Sequence, residues 1–522
     1  MSNPARRYRS AIMIIAAITF VLPATAVTAQ QPATGAERVN FERHTSHDEL
    51  MQFLFDVQSQ SDRMLIRELA TTDDGRVMPL VILGAPPSAT PGTAWFSGRP
   101  TLFFTGNVHG NERAGREGSL QLIRELATGE LRPLLDRVNV LIVPTLNPDG
   151  AERRTRTNSL GYDMNRDFIV AETPEITGIL QDVLLQWWPD VYVDVHNGGA
   201  WPYNLTYQAT LHPAADADLV AFARGPMFNA VRTHLEAQQM KLYWYSGPRL
   251  DQETGEWSWR TTEPWARKQH TYGGLQNMIT LLYEIPGRWT LAQQADHARE
   301  GMEGLIRFVA DNAAAVRNTV TTARARTLQS QPERVVVTVE ESAYPQKEQF
   351  WVMPPGQGAN AEPQLVTGTN RTLYVPGVTR TRPWAYAFDG RLNDVAQFLR
   401  RHAIDVERLQ APVSVRAEKF RLTAVEWAEA PYQNHLLADA TVQIVADTMT
   451  LPAGTYVVRM AQNAGRLIPE LFESDTEDSL LAWNLLDHSL PAGASLQRRE
   501  QPFFLPIYRV MAAAPLRSVV IR

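Results

Sequence analysis

Four short apolar runs, each closing in a polar turn, constrain this chain more than any other feature. They read "TLFFTGN" (101–107), "VNVLIVPTLN" (138–147), "DVYVDVHN" (190–197) and "NMITLLYEIPG" (277–287). The runs are continuously apolar rather than alternating, which is the pattern of strands buried on both faces. The first and second are separated by "AGREGSLQLIRELATGE" and the second and third by "TPEITGILQDVLLQWW", both with apolar residues at helical spacing. Strand, helix and strand in succession predict an α/β fold: a mixed, mainly parallel twisted sheet with helices on both faces. In such a sheet, ligands gather beyond the carboxyl ends of the strands. The residues with the most chemistry in this chain sit there.

Around this centre, "TSHDELMQFLFDVQSQSD" (45–62) has apolar residues at helical spacing with Thr45 or Ser46 as the cap, and "LIRELATT" and "VMPLVILGA" read as strands turning at Asp73–Arg76. A long helical pattern over 290–318 closes the first domain, expected at 42–318. From 330 to 522 the chain changes to short β segments broken by Pro and Gly. This predicts a β-rich mixed accessory region of one or two domains. Residues 30–41 read as a linker.

The first residues have another character. "RRYRS" (6–10) is basic, residues 11–27 are apolar, and Val27-Thr28-Ala29 places small residues before Gln30. This is the layout of a signal peptide over 1–29. It predicts export to the periplasm or the extracellular space, with no membrane association after cleavage. The chain has no Cys, so no disulfide is available even in an oxidising compartment. Apolar residues at 44%, charged residues at 20% and a net charge of −6 describe a globular chain without the basic surplus of a nucleic-acid binder.

His109 and Glu112 stand three positions apart in the turn after the first run, where Gly106 and Gly110 are expected to let the backbone turn sharply. His196 ends the third run and Glu284 the fourth. Two imidazoles and a carboxylate are a favoured ligand set for catalytic zinc, with a fourth position left for water. His109, Glu112 and His196 supply that set. Glu284 is the carboxylate left to move a proton. The second turn carries Arg153, Arg154, Arg156 and Arg166, suited to a developing oxyanion or a substrate carboxylate.

In chain order, "HGNE", "NPDG", the Arg cluster, "DMNRD", "DVHN" and "LLYE" resemble the zinc carboxypeptidase family related to carboxypeptidase A. The resemblance covers 42–318 and rests on these separated motifs together. It implies one zinc ion held by His109, Glu112 and His196, and a metallocarboxypeptidase that hydrolyses C-terminal peptide bonds of peptides or proteins, its zinc-bound water activated by Glu284. Arg153 best matches the family's carbonyl-polarising arginine, with Arg156 as the second choice. Asn165 and Arg166 match the pair that receives the terminal carboxylate, and Asp163 the carboxylate that orients the first His. Tyr243, Tyr245 and Tyr272 all qualify as the substrate-covering tyrosine, and Tyr272 stands for it in the expected site. The alternatives are another zinc amide hydrolase on the same scaffold, such as a cell-wall peptide endopeptidase or a deacylase, and a non-catalytic peptide-binding module. The aromatics of 200–283 read as loop packing, and the remaining histidines as surface or core residues.

Overall fold

The computed structural model describes residues 31–329, 332–355, 361–490 and 502–521. Residues 1–29, where a signal peptide is expected, lie outside them. Among the described residues, no helix is long and apolar enough to cross a membrane.

The strands of the first part are β1 (Met64–Thr71), β2 (Val77–Leu83), β3 (Thr101–Gly106), β4 (Asn139–Val143), β5 (Val191–Asn197), β6 (Leu205–Ala209), β7 (Leu242–Trp244), β8 (Gly247–Leu250), β9 (Trp257–Arg260) and β10 (Ile279–Ile285). One sheet holds eight of them in the order β1-β2-β4-β3-β5-β10-β6-β7. Its centre is parallel: β3 pairs with β4 and β5, and β5 with β10. The flanks turn antiparallel at β2–β4 and β10–β6. This is the mixed α/β sheet predicted, and the four apolar runs are its four central strands.

Alternation along each strand sorts side chains between two cores. Val191, Val193 and Val195 of β5 join one buried cluster with Leu120, Leu305 and Phe104. Tyr192 faces the other, with Phe103, Leu180 and Tyr272. The first core is roofed by the helices Ala114–Ala127 and Leu291–Asp311. These approach so closely that a Cβ on Gly118 would lie 2.7 Å from the Ala298 Cβ. The closing helical stretch is longer than expected, because the chain breaks at Asn312 and runs on as a second helix, Ala313–Leu328.

The second core does not stop at residue 318. It continues into Tyr386, Phe388, Phe398 and Phe472 of the C-terminal region. That region contributes a seven-stranded sheet, antiparallel in its pairings, whose longest members are Val413–Trp427 and Ala438–Leu451. A further sheet is shared, since residues 364–371 pair with β9. The change in sequence character near 330 therefore marks a change of secondary structure and not an edge of the core.

The linker expected at 30–41 is built into the fold from Thr34 onward. Thr34 caps a short helix, Gly35–Arg38, and Glu37 pairs with Arg124 at 2.6 Å. Ser46, not Thr45, caps the next helix, His47–Ser59. Thr45 instead gives its hydroxyl to Glu117.

Candidate active site

β3 ends at Gly106, and the chain then makes the turn that carries His109 and Glu112 before the helix Ala114–Ala127 begins. The His-x-x-Glu spacing is therefore that of a turn, closed by the Glu112 N–H donating to the His109 carbonyl at 3.0 Å, and not of the first helical turn. Asn107 takes the left-handed conformation at φ 61°. Its buried amide donates to the carbonyls of His109, Gly110 and Glu112 and so ties the loop into one shape.

Gly106 and Gly110 serve close approach rather than turning, and neither has positive φ. A Cβ on Gly110 would lie 2.1 Å from the Gly150 backbone carbon, and one on Gly106 would lie 2.7 Å from that of Gly115. The "NPDG" motif supplies the other side of that contact. Asn147 caps the short helix Pro148–Arg153 by accepting from the Gly150 N–H at 2.8 Å, and donates to the Val108 carbonyl.

β5 and β10 run in parallel register, so His196 and Glu284 are direct neighbours. Both lie on the sheet face opposite Val195 and Tyr283. His109 comes from the far side of β3, which places the site where chain progression along the sheet reverses direction.

Three side chains converge there. His196 Nδ1 is 3.2 Å from His109 Nδ1 and 2.8 Å from one Glu112 oxygen. The other Glu112 oxygen is 2.7 Å from His109 Nδ1. All three residues are buried. Zinc–nitrogen bonds of about 2.0–2.1 Å at tetrahedral angles separate two imidazole nitrogens by roughly 3.3 Å. The donor set and its spacing fit zinc. Each ring turns its other nitrogen to a carboxylate: His109 Nε2 to Asp163 at 3.0 Å, and His196 Nε2 to Asp194 at 2.7 Å. Such partners fix the tautomer and leave Nδ1 free for a metal. Asp194 is not among the expected residues: residues two apart on a strand share a face, but that spacing carries no signal without the fold.

Glu284 is buried, and its Oε2 has no hydrogen-bond partner. Burial pushes its carboxyl up to about 7, against the pull of the His196 imidazole and with a further push from Glu112. Tyr245 lies close to Glu284, and the carboxylate, together with burial, drives the phenol well above its usual range. Gly198 leaves room for this carboxylate, because a Cβ there would lie 2.2 Å from Glu284 Oε2. Gly198→Ala is expected to displace Glu284 and to lower kcat/KM by about a hundredfold, as ångström-scale misplacement does. Zinc content should stay at the parent level. Kinetics with metal analysis on the same preparation would check both halves.

Asn165 is buried with its amide 3.4 Å from His196 Nε2, and its oxygen accepts from the Gln269 N–H at 3.0 Å. Arg166 is half-buried, bonds the Asn165 carbonyl, and forms no ion pair among the described residues. Two expected members are not in the site. Arg153 points away and pairs with Asp74 at 2.6 Å, whereas Arg156 bonds Asp163 and comes within 3.5 Å of Glu112. Tyr272 is fully buried in the second core, where its hydroxyl meets His402 Nδ1 at 2.9 Å. Hydrophobic packing of the C-terminal region on that face claims it. Of the three candidate tyrosines, Tyr245 is the one whose phenol feels the Glu284 carboxylate.

A second convergence of possible ligands, His234 with Glu300 and Glu303, is already neutralised: Arg299 and Arg307 pair with the two glutamates. The aromatics of 200–283 pack as expected, with Trp259 buried against Tyr203, Tyr243 and Phe350.

Residues 50–226 match the family model described as zinc carboxypeptidase. The matched stretch holds His109, Glu112, residues 147–167 and His196, and ends before Tyr245 and Glu284. Carboxypeptidase 2 of Trichophyton rubrum is 22% identical over 433 residues, which cover 80% of this chain and 79% of the relative. Carboxypeptidase D of Mus musculus is 37% identical over 112 residues, 16% of this chain and 8% of that protein. The metallo-carboxypeptidase from Burkholderia cenocepacia shares 21% identity at a TM-score of 0.42, covering 52% of this chain and 70% of that one. The convergent His109, Glu112 and His196 all lie within residues 50–226, the segment that matches the zinc carboxypeptidase model.

Proposed function

We propose that this protein removes C-terminal residues from peptides or proteins, with the reaction centred on His109, Glu112, His196 and Glu284. The observation that carries the exopeptidase part is Arg166. A half-buried guanidinium without a carboxylate partner among the described residues stands beside Asn165, which itself touches His196. A terminal carboxylate supplies the missing charge through paired N–H···O bonds.

Zinc, when bound by the three ligands, would polarise the scissile carbonyl and the attacking water. The chain's own residues do the rest. Asp163 and Asp194 hold the two imidazoles in register. Glu284 takes a proton from the attacking water and delivers it to the leaving nitrogen, a role suited to a buried carboxylate with one free oxygen. Arg156 faces the oxygen on which charge develops. Asn165 and Arg166 hold the substrate's end, and Tyr245 covers it from the side of Glu284. The leader-like residues 6–29 support placing this reaction outside the cytoplasm.

Amidating the C-terminus of a peptide substrate is expected to lower kcat/KM roughly ten- to hundredfold, the value of a hydrogen bond to a charged group. Arg166→Ala should remove that difference by weakening only the free-acid substrate. Equal rates on acid and amide with the parent enzyme would move the reading to a zinc amide hydrolase of another class.

A further inference from the structure

The long hairpin of the C-terminal region ends at the proposed active site, and its turn residues are unusual for a turn. Beyond Trp427 and before Ala438 the chain reverses at Tyr432–His435. The turn is closed by the Tyr432 N–H donating to the His435 carbonyl at 2.8 Å and the His435 N–H to the Tyr432 carbonyl at 3.0 Å. Both central residues are left-handed, Gln433 at φ 50° and Asn434 at φ 65°. Such a turn is ordinarily built from Asn, Asp and Gly. Glutamine gains nothing locally from this conformation, and residues held in sparsely populated backbone regions gather at functional positions.

What glutamine brings is reach. Its side-chain oxygen accepts from the Asp163 N–H at 3.0 Å. His435 Nε2 meets Glu172 at 3.1 Å, and Tyr162 donates to the other Glu172 oxygen. Two turn residues, Gln433 and His435, therefore hold Asp163 and Glu172, on either side of Asn165 and Arg166. Asp163 is the node of that segment. One oxygen meets His109 Nε2 and the Asn165 N–H, each at 3.0 Å, and the other accepts from Arg156 at 2.9 Å. A shift of the Asp163 backbone would move the first imidazole, the arginine and the asparagine together.

From this we infer that the C-terminal hairpin is a working part of the active site and that Gln433 is a positioning residue acting through Asp163. The inference rests on the proposed roles of His109 and Asp163. It assigns to the region beyond residue 330 a task in metal binding and substrate placement besides covering the sheet.

The test compares Gln433→Gly and Gln433→Glu in the full chain. Glycine removes the acceptor and suits the left-handed backbone, so folding is not impaired. Glutamate keeps an acceptor oxygen at the same reach. Zinc affinity is read by competition with a chromophoric chelator, kcat and KM on a free-acid peptide, and stability by thermal unfolding. The glycine variant should lose about tenfold in kcat/KM, at the low end for partners that orient metal ligands, and several-fold in zinc affinity. Its unfolding midpoint should be unchanged or higher, and the glutamate variant should recover most of the loss. A glycine variant within twofold of the parent in both zinc affinity and kcat/KM would overturn the proposal. So would a loss that tracks a lowered midpoint and is not recovered by glutamate. The underlying reading fails separately: a parent chain without chelator-sensitive peptidase activity would remove it whatever Gln433 does.

Discussion

A His196→Ala chain is expected to lose its zinc and to fall in kcat/KM by a factor on the order of 10⁴ or more, the scale seen when an essential member of a catalytic unit is removed. The geometry leaves no substitute ligand. His196 Nδ1 lies 3.2 Å from His109 Nδ1 and 2.8 Å from Glu112, and the nearby Asn165 offers only an amide. The fold should persist. Val191, Val193 and Val195 still anchor β5 in the core, and Asp194 keeps the Thr105 hydroxyl at 2.7 Å when its imidazole partner is gone. Metal analysis after dialysis, beside far-ultraviolet dichroism and a chelator-treated parent, would check the claim. A variant that retains one zinc per chain with parental activity would refute the ligand assignment.

Glu284→Gln is the second large effect, and it should separate chemistry from metal binding. Glutamine keeps the shape against Gly198 and Tyr245 but cannot take a proton. We expect kcat to fall by about 10²–10⁴, the range of a lost general base, with KM little changed and zinc at the parent level. The wild-type carboxyl is buried with an unpartnered oxygen, an arrangement that costs stability and serves no packing need. The substitution should therefore leave thermal stability unchanged or slightly improved. A kcat within tenfold of the parent would sink the assignment of Glu284 as the proton carrier, even if the zinc ligands stand.

The arginines and tyrosines show where reading along the chain stopped. Arg153 and Arg156 are three residues apart, and the family resemblance favoured the first. The helix Pro148–Arg153 ends there with Arg154 in the left-handed conformation, and this turns Arg153 out to Asp74 and lets Arg156 reach Asp163. Tyr272 and Tyr245 differ in a property that no local pattern carries. The first is claimed by a core shared with residues 385–472, hundreds of positions after the motif segment began. Gly106 and Gly110 do not serve the sharp turning expected of them, and what matters is their lack of a side chain. The use made of it, letting two loops touch, depends on Gly150 and Gly115 lying opposite.

Taken alone, the sequence determined the strand order in time, the two-faced burial of the central runs, and the kinds of side chain at their carboxyl ends. Each of these is a local property of periodicity and residue chemistry. It could name His109, Glu112, His196 and Glu284 because metal and proton chemistry limits the choice to few residue types. Tertiary structure alone decided which arginine and which tyrosine face the metal ligands, that Asp194 holds His196, and that the turn at Gln433 holds Asp163. Those contacts join residues up to 270 positions apart. The longest of them, from Gln433 to Asp163, comes from the C-terminal region that also buries the second face of the sheet.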